Sequence, residues 1–479
     1  MAQENPFTIT LDKFFSGFAP LAFQNPLTEL GGGGHASVMQ NADVIGGSYV
    51  TQGPGLADLT GGTQAGVTTE LIQFIMDKAV ANNVSYCIGT TKLFQLSSTA
   101  ITNLHTVTNC TEGESIQVLQ GNLYYLYNTA AGGDIGKYDL VGTFTDNWGS
   151  TVPTGAAVLQ NAPHPSDKKE DILVFGNGRY VGVFIENQNN LVVNRLDFGN
   201  DAEVADVLYS NGYWYLAVNS GITGTNRTEG QIYLYDGAAL IDTLTDEAGV
   251  GMMRIGFLYR INGVIYIAYQ DLSSTGFIIG YLSGKTITPL KRFTGTLPNF
   301  QQKTLYKNTI LFLSSGLVYS SGAIVGELPY QLSQIADGGY ATVGAIAAPF
   351  GTPMISSTDG AGNFRIAQFS GFDTACSWKS IVFPTSSGLN LAQVDSVTVY
   401  TKALGANASC ALTIEGNQGV DISTAKTIAT TGKTRHYFDN FGLANDLQDF
   451  RLALNWAAGS ATNDCAIRRI IVRGHTLEG

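Results

Sequence analysis

Six aspartates, five histidines and five cysteines are the residues of this chain that could do chemistry, and each set can be held against the spacing its chemistry requires. Hydrolysis of a glycosidic bond needs two carboxylates converging on one oxygen. Asp134, Asp139, Asp206, Asp236, Asp271 and Asp359 fall in loops or at strand ends, where aspartate commonly forms turns by bonding its own backbone, and no spacing pairs any two of them. His35, His105, His164, His436 and His475 are isolated, without the HxH or HExxH spacing that sets two imidazoles around one metal. Cys87, Cys110, Cys376, Cys410 and Cys465 are odd in number and include no CxxC, so reduced, buried thiols are expected rather than a disulfide framework or a zinc site. No GxSxG elbow presents a nucleophilic serine.

Two further segments invite a chemical reading. Gly280-Tyr-Leu-Ser-Gly-Lys-Thr286 resembles a phosphate-binding loop, but only three residues separate its glycines where that loop has four, and no helix follows to aim N–H groups at a phosphate. It reads as a hairpin turn. Ser357-Thr-Asp-Gly-Ala-Gly-Asn-Phe364 resembles the Asp-box turn of sialidase-type propellers, except that Ala361 stands where the glycine belongs. The run Gly31–Gly34 before His35 reads as a flexible joint. The expectation is a chain that is not an enzyme, with no catalytic, cofactor-binding or metal-binding residues and no cofactor.

Composition says what kind of elements hold these residues. Of 479 residues, 44% are apolar and only 13% charged, against about 25% charged in an ordinary globular chain. Glycine supplies tight reversals, and the 22 Tyr and 24 Phe suit pleated, half-buried surfaces. The length exceeds what one core usually serves, so more than one domain is expected. From Cys376 onward the formal charge is +1, and the preceding part carries −13. Such acidity argues against gripping phosphate backbones, which works by lysine and arginine neutralisation. No basic-then-apolar leader opens MAQENPFTIT, and no run of 18 apolar residues offers a membrane span.

A pattern recurs along the middle of the chain: an apolar strand, a turn with Asn or Gly, then a strand rich in Tyr and Ile. Ile116–Tyr127, Asp171–Val183, Val207–Val218, Gly256–Ala268 and, in shortened form, Thr304–Leu313 all carry it. Asn-Gly between such runs is a strong hairpin signal because both turn residues need positive φ. A third strand closed by glycine follows at Gln231–Gly237, Ile278–Gly284 and Phe364–Gly371. With the segments near Leu71, read as a strand, and near Tyr340, seven units arise, spaced roughly 33 to 55 residues apart. Three or four strands per unit at about 40–50 residues is the signature of propeller blades, which bury one another's faces when arranged radially. Past Cys376 the period stops, and Val397–Tyr400, Cys410–Ile414, Phe450–Trp456 and Ala466–Arg473 read as the alternating strands of a separate sandwich. The chain is therefore expected to be all-β: an N-terminal extended arm over 1–60, a β-propeller of about seven blades over 61–375, and a C-terminal β-sandwich over 376–479.

Asn41-Ala-Asp-Val-Ile-Gly-Gly-Ser-Tyr-Val-Thr-Gln-Gly-Pro-Gly-Leu-Ala-Asp58, Asp146-Asn-Trp-Gly-Ser-Thr-Val-Pro-Thr154 and Gly338-Gly-Tyr-Ala-Thr-Val-Gly-Ala345 resemble stretches of virion proteins from tailed-bacteriophage structural gene clusters. In plan the chain is similar to podophage tail-nozzle proteins, propellers of comparable size assembled as rings. This resemblance implies a structural part of a virion tail, assembled in the host cytoplasm, and does not imply its position in the tail. Few charges, a long N-terminal arm, no paired catalytic groups and two β domains suit a subunit of a symmetric ring that links neighbours, or lines or surrounds the DNA exit path during ejection. Its partners would be copies of itself in a ring and other tail proteins, without sequence-specific nucleic-acid binding. Arg468, Arg469 and Arg473 on the last strand would either meet acidic neighbours across a subunit interface or form a solvated face. The alternative is a tail-tip protein binding a host-surface glycan, with Tyr213 and Trp214 as candidate stacking residues.

Overall fold

The computed structural model describes residues 4–12, 36–40, 42–43, 49–59, 70–80, 83–223, 226–244, 252–271, 276–307, 309–322, 331–337, 342–358, 362–373, 376–384, 391–443, 446–456 and 462–477. Gly31–Gly34, His35 and Asp359, weighed above, lie outside these residues.

The aromatic hairpins form as their turns dictate. Asn211-Gly212 and Asn262-Gly263 both take positive φ, and the strands around them pair Ser210 with Tyr213 and Ile261 with Val264. These are the two-residue loops whose twist matches that of the strands. In the copy at 116–127 the turn residues are Gln120 and Gly121, one position earlier than the Gly-Asn pair suggests. Gly284-Lys285 likewise closes a hairpin between Ser283 and Thr286.

Seven four-stranded antiparallel sheets result. Six are consecutive in sequence, over 72–106, 110–145, 166–197, 203–244, 252–293 and 303–337. The seventh joins Thr342–Ala347, Met354–Thr358 and Phe364–Phe372 to the early strand Pro54–Asp58. The first strands of the first five sheets lie side by side in order, Met252–Ile261 meets Thr309–Ser314 of the sixth, and Thr342–Ala347 lies beside both Lys303–Tyr306 and Ile72–Ile75, which closes the circle. Beside the seventh sheet, Leu59 N donates to Ile366 O at 3.1 Å. This is a seven-bladed β-propeller.

Its cores lie between blades. Leu119, Tyr124, Trp148, Phe175 and Phe184 form one cluster from the second and third sheets, and Ala217, Ile232, Ile255 and Ile267 another from the fourth and fifth. A blade alone would leave these faces wet, so the radial arrangement is what buries them. The segment Asp146–Thr154 forms part of this packing. Its one-turn helix Trp148–Thr151 buries Trp148 against Tyr124 and Phe184, at ring-centroid distances of 5.1 and 4.8 Å.

Within blades, glycine faces aromatic residues across strands. Gly136 opposes Tyr125 and Gly182 opposes Phe175, and a Cβ at either glycine would stand 2.1 Å from the ring. Tyr125 also donates its hydroxyl to Asp146 at 2.6 Å. Replacing Gly136→Ala is therefore expected to displace this ring and to destabilise the protein by about 1–3 kcal/mol, as overpacking does. A thermal midpoint equal to that of the parent would contradict the packing described.

Clustering by contacts divides the chain into two units, one of residues 1–57, 318–338 and 369–479 and the other of residues 58–317 and 339–368. In the first, Glu4–Leu11, Ile467–Leu477, Leu391–Thr401 and Arg435–Asp439 form one sheet in that order. Ala36–Gln40, Ser377–Ser380, Asp449–Asn455, Cys410–Gly416 and Asp421–Ile422 form the second. Their inner faces share one core that includes Trp378, Leu412, Leu454, Val397, Ile470 and Val472. This is the β-sandwich, and the first residues of the chain supply a strand to each sheet. Glu4–Leu11 runs antiparallel along the last strand, whose Ile470 and Val472 need cover on their open edge. Among the described residues no helix is long and apolar enough to cross a membrane.

All five cysteines are free and buried. Burial pushes the Cys110 and Cys376 thiols up to about 12 and raises those of Cys87 and Cys410 as well. Because the thiolate is the reactive form, the native protein is expected to leave Ellman's reagent unreacted at about pH 8, and the denatured chain to titrate all five thiols. Fast reaction of a thiol in the native protein would contradict this.

Candidate functional site in the propeller cavity

At the hub of the propeller the first strands of the blades surround a cavity of about 600 Å³. Its lining includes Asp77, Asp167 and Asp206 together with Lys78, Lys168, Arg260 and Lys303. Acidic as the unit's composition is, the hub itself is balanced in charge.

Each carboxylate is held by blades other than its own. Asp206, 2% exposed, accepts the N–H of Val207 at 2.9 Å and that of Leu258, on the next blade, at 2.6 Å. It also pairs with Lys303 of the sixth blade, whose ammonium donates to Leu258 O at 2.7 Å. Asp167 repeats the device one blade earlier, accepting N–H groups of Lys168 and of Tyr209, at 2.7 Å each. Asp77 lines the cavity and is exposed to it. It accepts Thr304 Oγ1 of the sixth blade and Ala348 N, at 3.1 Å, beside the seventh. Gln301 reaches the second blade, donating to Glu114 O at 3.1 Å, and Lys168 donates to Val118 O.

Loss of water raises the carboxyls of the buried Asp206 and the half-buried Asp167 above the usual aspartate range, and that of Asp77 as well, although Asp77 is exposed to the cavity. The donors around each oppose that shift, and Lys303 acts on all three. Perturbed carboxyls in a cavity can mark an acid–base centre. Structural ion-pair networks perturb them equally, and here every carboxylate spends its lone pairs joining backbone groups of neighbouring blades. What this arrangement does chemically is to pin the strands of a closed ring.

The other candidate aspartates are also anchors. Asp134 accepts Ile135 N at 2.8 Å and Ser150 N at 3.0 Å, Asp139 accepts the N–H groups of Val141, Gly142 and Thr143, and Asp236 those of Ala238 and Ala239. Asp271 pairs with Arg292. His105 bonds Asp146 at 2.8 Å, His475 lies 3.0 Å from Asp395, and His164 is buried with its Nδ1 on Gly176 O at 2.9 Å. Burial lowers the His164 imidazole to about 4, so it is neutral at physiological pH. Among the described residues no three His, Cys, Asp or Glu side chains gather as a metal site needs. Trp214 is 2% exposed and packs beside Tyr209 and Tyr235, which leaves Tyr213 as the exposed member of that pair.

Of the hub residues, only Asp206 stands among the aspartates that spacing singled out. Asp77, Asp167 and Lys303 carry one legible signal: a charge inside the first strand of a repeat unit, as in Ser166-Asp-Lys-Lys169 and Lys303-Thr-Leu-Tyr306, or two residues after it, as Asp77 follows Ile72–Ile75.

No known family model matches the chain. No curated protein matches it in sequence. Similar folds occur among solved structures. The extracellular domain of a protein described as a hybrid two-component system from B. thetaiotaomicron aligns over 79% of this chain with 11% identity and a TM-score of 0.47, and the chain spans 48% of that structure's length. The β-propeller domain of the Trilobed protease from Pyrococcus furiosus aligns over 64% of this chain and 97% of its own, with 9% identity and a TM-score of 0.40. The N-terminal domain of Nup159 covers 67% of this chain and 95% of its own, with 10% identity and a TM-score of 0.39.

Proposed function

We propose that the chain is a non-enzymatic structural component of a bacteriophage virion, a tail ring or nozzle-type subunit that surrounds the DNA exit path and links neighbouring tail proteins. The observation that carries this reading is the use of the hub's charged groups. Asp77, Asp167, Asp206 and Lys303 are committed to joining blades, which suits a part that bears load and holds its shape. The hub cavity of about 600 Å³ is lined by these same charged groups, and bonds from Gln301 and Lys303 tie its blades together. The exit path of this reading therefore runs through the lumen of a ring of subunits, and not through any one propeller. A net charge of −12 suits a wall past which DNA slides without adhering. Immunoelectron microscopy of purified tailed particles tests the assignment. Antibody raised against the full chain is expected to decorate the tail, and particles that carry none of the protein would overturn it.

A further inference from the structure

A second feature lies on the β-sandwich, on the outward face of the sheet formed by Glu4–Leu11, Ile467–Leu477, Leu391–Thr401 and Arg435–Asp439. Adjacent residues of a strand normally point to opposite faces. Here the pairing shifts: Tyr400 opposes Arg469 and the next pair is Thr401 with Ile467, so Arg468 is the extra residue of a bulge. Both Arg468 and Arg469 are consequently exposed. Bulges re-aim side chains in this way and are over-represented beside functional sites.

Arg468, Arg469, Lys402 and Tyr400 line a groove of about 740 Å³ together with Asp12 and Thr434. Tyr49 holds two of the cations at once, with the Lys402 ammonium 4.0 Å and the Arg468 guanidinium 5.7 Å from its ring centre. Tyr400 carries a third, Arg435, at 5.8 Å. Asp12 meets Arg469 at 3.5 Å, and Asp464 interacts electrostatically with Lys402. Four cations against two carboxylates leave an excess of positive charge, and three of the cations, Lys402, Arg468 and Arg435, also rest on aromatic faces.

We propose that this groove is a binding site for a small saccharide bearing a carboxylate or sulfate group, the oxyanion seated between Lys402 and Arg468. The volume lies within the range of small-ligand sites, about 300–1,000 Å³, and not of the flat faces that proteins use to meet one another. Planar guanidinium groups suit bidentate contact with such an oxyanion. Extended nucleic acid is disfavoured by the same charges that define the site. A duplex would rest mostly on the surface beyond the groove, which belongs to a part of the chain with a formal charge of only +1, whereas a compact acidic sugar meets the local cations alone. This inference stands independently of the tail assignment.

The test is calorimetric titration of the full chain with a sulfated chondroitin disaccharide, a galacturonate disaccharide, neutral cellobiose, inorganic sulfate and a short DNA duplex. One or both acidic disaccharides are expected to bind, more weakly as salt rises, and cellobiose is not. Lys402→Ala combined with Arg468→Ala should weaken binding at least tenfold, as should the milder Lys402→Gln with Arg468→Gln. Arg473→Ala, an arginine of the same strand outside the groove, should leave binding unchanged. Failure of both acidic disaccharides to bind, equal binding of cellobiose, tighter binding of sulfate alone or of the duplex, or full affinity in the folded double variants would each overturn the proposal.

Discussion

Lys303→Met is expected to destabilise the propeller by about 3–5 kcal/mol at neutral pH, the range seen when one partner of a buried ion pair is removed. Both side chains are withdrawn from solvent, Lys303 at 13% and Asp206 at 3% exposure, so screening by water does little to soften the loss. The variant leaves the Asp206 carboxylate buried with two backbone donors and no cation, and it removes a charge that also moderates Asp77 and Asp167. The pH dependence has a definite sign. Burial already places the Asp206 carboxyl above its ordinary, unfolded-state value, and loss of the lysine raises it further. A carboxyl raised in the folded state favours folding below its unfolded value, and that advantage is lost as pH rises through the folded one. The deficit of Lys303→Met relative to the parent should therefore be largest near neutrality and shrink in acid as Asp206 takes up a proton. Adding Asp206→Asn removes the stranded charge and keeps an acceptor for Leu258 N, so the double variant should recover much of the loss. A deficit under about 1 kcal/mol, or one independent of pH, would contradict a hub that holds the blades electrostatically.

Trp378→Ala is expected to cost a similar amount, about 3–5 kcal/mol, by a different mechanism. Trp378 is fully buried in the sandwich, on a strand paired with Asp449–Asn455, where it opposes Leu454. Truncation removes apolar surface from the core and leaves a cavity among side chains pinned by two sheets, with little freedom to collapse. Scanning calorimetry should register a lowered transition. At 479 residues two-state unfolding is not assumed, so the shift of the affected transition is the quantity to read. Because this loss involves no titrating group, it should be flat with pH over the range in which the Lys303→Met deficit changes. An unchanged calorimetric profile would contradict the core assigned to this unit.

The repeat was legible because its cause is local. Asn211-Gly212 and Asn262-Gly263 need positive φ, and alternating Tyr, Ile and Val on either side leave few alternatives to a hairpin. Hairpins recurring roughly every 33 to 55 residues point to the radial arrangement, in which near-equal sheets bury one another's faces. Long-range pairing was harder to read. Glu4–Leu11 joins Ile467–Leu477 across nearly the whole chain, and Pro54–Asp58 joins Phe364–Phe372. Neither partner carries a local mark of the other, so the first sixty residues read as an arm, whereas Glu4–Leu11, Ala36–Gln40 and Pro54–Asp58 have sheet neighbours. The hub was illegible for the same reason. Asp77, Thr304 and Ala348 lie hundreds of residues apart in part and meet only because the circle closes. Asp206 was noticed as a turn former, whereas its partner Lys303 is fixed by blade geometry alone. The groove around Tyr49 depends on a one-residue bulge, and the arginine cluster at 468–473 signalled charge without signalling which arginines converge.

The most direct test of the tail-ring reading is an electron cryomicroscopy map of the intact tail at a resolution that separates blades. A closed ring of seven-bladed discs is expected, with DNA running through the central lumen between subunits and none through a propeller hub. Duplex density threaded through a single propeller, or a tail that lacks the discs altogether, would contradict it.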